Sequence, residues 1–198
     1  GEYLLNKELV NRFSVLKEAS KALVNLCELQ KTEGYKELGR RKAIQWSILQ
    51  HYEVCRTPFL DFTHSLRVAC SFAMLNNGNQ YAYVYIFGLP YITNRITINS
   101  EHDIINIRML SICPQTAFRP YFQEGYLAGT DNVTTKYDQK TELDFNNRLL
   151  AKFRIPNNKS FWGSGFNVIP EESLYPLNDP IYELCRQIKD GLNTKTNG

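Results

Sequence analysis

The chain has 198 residues, with 43 % hydrophobic and 13 % aromatic content, enough for one globular domain with its own core. Its 23 basic and 20 acidic residues leave a net charge of +3, too small an excess to point to nucleic acid or a membrane surface. No apolar run reaches the roughly 18 residues of a membrane-spanning helix, so none is expected.

The N-terminus, GEYLLNKELVNRF, lacks a basic stretch followed by an apolar one, so no secretory signal is expected. The chain opens on Gly and not Met, which is expected of a piece of a longer protein. Cys27, Cys55, Cys70, Cys113 and Cys185 are widely spaced and never form C-x-x-C. That pattern fits reduced thiols in a cytoplasmic protein.

Residues 6–30 place Leu9, Val10, Phe13, Leu16, Ala19, Leu23, Leu26 and Cys27 at helical spacing, predicting an amphipathic helix. Gly34 breaks it. Residues 36–52 predict a second helix, with Ile44, Ile48 and His51 on one face. Arg40-Arg41-Lys42 reads as a solvated face of that helix.

Pro58 ends helical structure, and Phe59-Leu60-Asp61-Phe62 reads as a short strand. Thr63 or Ser65 caps a following helix that carries Val68, Ala69, Phe72, Ala73 and Leu75. Asn76 to Asn79 is a turn, and Gln80 to Phe87 (QYAYVYIF) is a strand ending at Gly88 and Pro90.

Residues 92–98 predict another strand and 101–110 a helix. Residues 115–127 read as a loop feeding a short strand, and Thr130 to Thr141 as an exposed loop. Leu149 to Ile155 is a strand closed by Pro156. Pro170 to Leu192 holds a turn and a last helix with Ile181, Leu184, Cys185 and Ile188 inward.

The expected fold class is α+β: N-terminal helices, then a mixed, mainly antiparallel sheet flanked by helices. The expected division is a helical segment at 1–35, the α+β domain at 36–192 and a flexible tail at 193–198.

Polar groups concentrate in residues 49–73, LQHYEVCRTPFLDFTHSLRVACSFA. His51 and Cys55 stand four apart, but Pro58 interrupts and no second ligand pair has zinc-like spacing, so no metal is expected. Cys55 and Cys70 lie among apolar residues, where a thiol is usually inert packing. The motifs of P-loop, dinucleotide-binding and serine-hydrolase folds are all missing. Asp61, Thr63 and Ser65 can serve as caps and His51 as a satisfied half-buried side chain. As a group at a strand-to-helix junction, they also suit a ligand site.

Three ordered segments resemble the FRG domain family. Gln50-His51-Tyr52, Thr57 to Thr63, Ser65, Val68-Ala69 and Phe72-Ala73 are similar to its signature Q-H-[YH]-G-[LV]-x-T-[RP]-[LF]-L-D-[WF]-T-x-S-x-x-x-A-x-x-F-A. Arg119 and Gln123-Glu124-Gly125-Tyr126 resemble its R-x-x-x-Q-x-G-x-F segment. Phe153-Arg154-Ile155-Pro156 and Phe166 to Leu177 resemble its closing strand and helix.

The resemblance covers residues 44–190. It departs at Glu53, where the family has Gly, and at one extra residue before Thr57. The chain has no Phe-Arg-Gly triplet; the resemblance expects that Arg upstream of the first helices, with Gly1 as the candidate last residue of the triplet.

FRG domains occur in bacterial and phage-linked proteins and look distantly similar to ADP-ribosyltransferases. The resemblance therefore implies NAD as substrate, with a protein or nucleic acid as acceptor. It implies Gln123, Glu124 and His51 as catalytic residues. It implies Tyr52, Asp61, Thr63, Ser65 and Arg119 as ligand-binding residues. The alternative is a non-catalytic module that binds a nucleotide or a partner.

Overall fold

The structure, a computed structural model, describes residues 6–101, 104–130 and 148–196. Among them the chain runs α1 (Asn6–Leu29), α2 (Tyr35–Arg40), α3 (Lys42–His51), β1 (Phe59–Thr63), α4 (Leu66–Met74), β2 (Tyr81–Phe87), β3 (Ile96–Asn99) and β4 (Ile104–Arg108). It continues with α5 (Met109–Ile112), α6 (Phe118–Gln123), β5 (Gly125–Thr130), β6 (Leu149–Pro156), α7 (Glu171–Leu174) and α8 (Pro180–Thr196). The expected α+β class holds: helices flank a four-stranded antiparallel sheet, ordered β1-β5-β4-β3, and a two-stranded antiparallel sheet of β2 and β6.

The first core joins α1, α3 and α8. Leu16, Ala19, Leu23 and Cys27 of α1 recur every three or four residues and are buried against Ile44, Ile48, Ile181, Leu184 and Ile188. Leu9 and Val10, which share the sequence periodicity, are exposed. A second cluster on one sheet face holds Phe59, Ile105, Ile107, Met109 and Leu127.

The strand expected over 92–98 begins only at Ile96, and four further expectations about elements need correction. The single helix over 36–52 is two, split at Arg41, whose backbone is extended (φ −122°, ψ 104°). The Leu38 carbonyl would take the Lys42 N–H in an unbroken helix; it accepts the Gln45 side-chain amide instead, at 2.7 Å.

The helix expected over 101–110 is strand β4 followed by the single turn of α5. Ile104, Ile105, Asn106 and Ile107 are all buried, because β4 is a central strand covered on both faces. Such a strand loses the alternation that marks strands in sequence.

The loop expected over 115–127 contains α6. Its Pro120 falls in the first turn, where a missing N–H leaves no intrahelical bond unmade. The last helix runs past Leu192 to Thr196. Beyond Thr130, the loop expected to Thr141 lies outside the described residues.

Asp179, 1 % exposed, ties three helices together. Its Oδ1 accepts the N–H groups of Ile181 (2.9 Å) and Tyr182 (3.2 Å), capping α8, whose first residue is Pro180. Its Oδ2 accepts the Tyr52 hydroxyl (2.8 Å), at the end of α3, and the Arg119 N–H (2.9 Å), in the first turn of α6.

Removing this carboxylate leaves four donors without an acceptor. Asp179→Ala is expected to destabilise the fold by about 3 kcal/mol in chemical denaturation, and Tyr52→Phe by only about 1 kcal/mol. Equal losses from the two substitutions would contradict a hub centred on Asp179.

Candidate functional site

A cleft of about 630 Å3 opens between the end of α3, strand β1, α4 and strand β2. An adjoining chamber of about 620 Å3 shares Phe62, Thr63, Ala69, Val84, Tyr85 and Phe87 with it. Phe62 and Phe87 meet edge to face, centroids 5.5 Å apart, on that shared wall. Much of the wall is aromatic, and the polar groups gather where α3 meets β1.

Helix α3 ends because Glu53 adopts a left-handed backbone (φ 57°), while the Val54 N–H bonds the Leu49 carbonyl at 2.9 Å. Glycine is the usual residue at this helix-terminal position, and FRG signatures carry Gly there. The chain then turns back, and Gln50 fastens the turn. Its carbonyl oxygen accepts the Thr57 N–H (3.2 Å) and hydroxyl (3.1 Å), and its amide donates to Asp61 Oδ2 at 2.8 Å. Gln50 thus sets the height of β1 relative to α3 and orients the Asp61 carboxylate.

His51 is the buried member of this group. Its Nδ1 lies 3.7 Å from Asp61 Oδ1, with side chains 3 % and 50 % exposed respectively. Its Nε2 is buried without a hydrogen-bond partner among the described residues. The ring packs on Gly125, where a Cβ would sit 2.7 Å from His51 Cε1. Thr63, paired with Gly125 across the sheet, accepts the Ser65 N–H at 3.1 Å. Ser65 caps α4 through Val68 N at 3.4 Å.

The cleft brings together His51, Asp61, Thr63 and Gln123. Gln123 is buried, and its amide donates to the Leu174 carbonyl at 2.8 Å. Ser65 lines only the adjoining chamber. Glu124 is exposed in a left-handed conformation (φ 47°) at the end of α6 and lines neither space.

Tyr52 and Arg119 face a separate pocket of about 450 Å3. The Arg119 guanidinium sits 5.0, 4.7 and 5.4 Å from the rings of Tyr52, Tyr175 and Tyr182 and donates to the His51 carbonyl at 3.0 Å. These contacts make Arg119 a clamp on the end of α3.

Gln50, Glu53, Tyr83 and Tyr85 also line the cleft, although neither the residue pattern nor the resemblance gives them a site role. The tyrosine alternation in YAYVYIF marks a strand, and nothing local in it marks a cleft wall.

Burial pushes the Cys55 thiol up to about 11, and the Cys27, Cys70 and Cys185 thiols also upward. Among the described residues, no three His, Cys, Asp or Glu side chains gather as a metal site. No described helix is long and apolar enough to cross a membrane.

Comparison with protein-family models, with curated proteins and with solved structures returned no match. The FRG resemblance therefore rests on the quoted segments alone.

Two outcomes follow from this geometry. Gly125→Ala forces a methyl group against the His51 ring and is expected to cost roughly 1–3 kcal/mol. The cost shrinks in a His51→Ala background, as measured by a double-mutant cycle in urea; an unchanged cost would refute the contact. Cys55, with its raised pKa, holds less thiolate at neutral pH than an ordinary cysteine. Its iodoacetamide labelling, read by mass spectrometry, should be slow at neutral pH and accelerate steadily until the pH nears 11.

Proposed function

We propose that the cleft binds NAD and cleaves the bond between its ribose and nicotinamide, passing ADP-ribose to water or to a macromolecular acceptor. The observation that carries this reading is the convergence of His51, Asp61, Thr63 and Gln123 in one aromatic-walled cleft of about 630 Å3. The volume suits a ligand of nucleotide size, and the rings of Phe62, Phe87 and Tyr83 suit a planar heterocycle. The FRG resemblance of residues 44–190 supports the same choice of ligand.

In this reading the carbon–nitrogen bond at the anomeric carbon breaks and its electron pair leaves on the nicotinamide nitrogen, cancelling the charge of that ring. The ribose carbon gains oxocarbenium character. Asp61, held by Gln50, sits as the negative group facing that charge. The acceptor oxygen then bonds the anomeric carbon and gives its proton to the Asp61 carboxylate. His51 positions Asp61 from behind, and Thr63 and the Gln123 carbonyl oxygen orient the ribose hydroxyls.

A second reading, a binding module without turnover, is favoured by one observation. Glu124 lies outside the cleft, and the Gln123 amide is committed to Leu174. Of the late polar pair expected from the resemblance, only Gln123 therefore reaches the cleft, with its amide nitrogen already taken up.

Calorimetry with NAD and chromatographic detection of released nicotinamide separate the two. The enzymatic reading expects both binding and release, and Asp61→Asn should slow release by about 100-fold or more while changing affinity only a few-fold. Binding without release would favour the module, and no binding of NAD would refute the enzymatic reading and any module that takes NAD as its ligand.

A further inference from the structure

The two-stranded sheet carries an aromatic and cationic stripe that starts at the cleft wall with Tyr83 and Tyr85 and extends beyond it through Tyr81, Lys152 and Arg154. Tyr81, Tyr83 and Tyr85 alternate along β2, so all three stand on one face, 37 %, 49 % and 49 % exposed. Ala82 and Val84, on the opposite face, are buried. Across the ladder, Arg154 pairs with Tyr83 and Lys152 with Tyr85.

The Lys152 ammonium lies 4.7 Å from the Tyr83 ring centre and 5.1 Å from that of Tyr85. The Arg154 guanidinium lies 4.6 Å from that of Tyr81. Neither strand contains an acidic residue. Three half-exposed rings with two cations laid among them form an exposed aromatic patch of the kind that marks an interaction site.

We propose that this face of β2 and β6 binds single-stranded nucleic acid. Alternate residues of a strand are about 6.8 Å apart, twice the rise per residue. That is about twice the 3.4 Å separation of stacked bases in a duplex. The tyrosine rings therefore suit bases of an extended, unstacked strand and do not match a stacked one. Lys152, over Tyr83 and Tyr85, and Arg154, over Tyr81, have side chains long enough to swing off the rings and meet the phosphates as bases take their place. The net charge of +3 is no obstacle, because the cations are concentrated where the rings are.

Tyr83 and Tyr85 also line the cleft, so a strand on this face runs past its mouth. The binding itself does not depend on any reaction in the cleft, and it is measured without NAD.

Fluorescence polarisation with a labelled single-stranded oligonucleotide, the same sequence as a duplex, and competing heparin tests the proposal. The single strand is expected to bind at least about tenfold tighter than the duplex. Tyr83→Ala and Tyr85→Ala should each weaken it roughly fivefold or more, whereas Tyr83→Phe, which keeps the ring, should stay within about twofold.

Lys152→Ala should lower the slope of log affinity against log salt by about 0.7. Leu29→Ala, an exposed position on α1, serves as a control and should change nothing. Equal binding of duplex and single strand, or tyrosine variants that bind as well as the native chain, would overturn the proposal. So would capture of anionic vesicles or acidic peptides in place of the oligonucleotide.

Discussion

The architecture depends on a buried carboxylate. Asp179 is inaccessible to water and accepts four hydrogen bonds, from the first turn of α8, the first turn of α6 and the tyrosine that ends α3. A lone buried carboxylate is strongly unfavourable, whereas one surrounded by donors is tolerated and directional. Arg119 adds charge balance nearby, its guanidinium enclosed by three tyrosine rings and bonded to the His51 carbonyl. Gln50 and His51 immediately precede Tyr52, and Gln123 lies on α6 with Arg119. The positions of three cleft residues thus depend on a group that never touches the cleft.

From that anchor the cleft is assembled by short-range constraints. Glu53 turns the chain out of α3, Gln50 ties the returning segment to β1, and Gly125 makes room for the His51 ring. The outcome is an Asp61 carboxylate half in water and half over a buried imidazole. A negative group oriented by its neighbours and open to a ligand on one side suits the stabilisation of developing positive charge. The opposite wall is built from tyrosine and phenylalanine on β2 and from Phe62, whose faces suit flat ligands.

Elements with one buried face were legible in the sequence. The α1 and α8 stripes and the β2 alternation each leave a periodic trace that needs no partner to be recognised, and Pro156 marks the end of β6. Strand β4 left none, because its Ile-Ile-Asn-Ile run is covered on both sides. The break at Arg41 was hidden because it depends on the Gln45 side chain reaching the Leu38 carbonyl. In the site, the stretch from Gln50 to Ser65 was legible as a cluster. The partition within it was not: Tyr52 turns to Asp179 while its neighbour His51 lines the cleft.

The sequence by itself determined the α+β class, the main amphipathic elements and the concentration of polar groups at the α3–β1 junction. These follow from local periodicity, capping and turn chemistry, which act within a few residues. Only the tertiary structure decided which of those polar groups share a space. It brought Gln123 to His51 and Asp61, left Glu124 outside, and committed Arg119 to a tyrosine cage. The physical reason is that burial and hydrogen bonding satisfy each polar group with whichever partner the packing brings near. Asp179 and Tyr52 stand 127 residues apart, a distance over which sequence pattern carries no trace of contact.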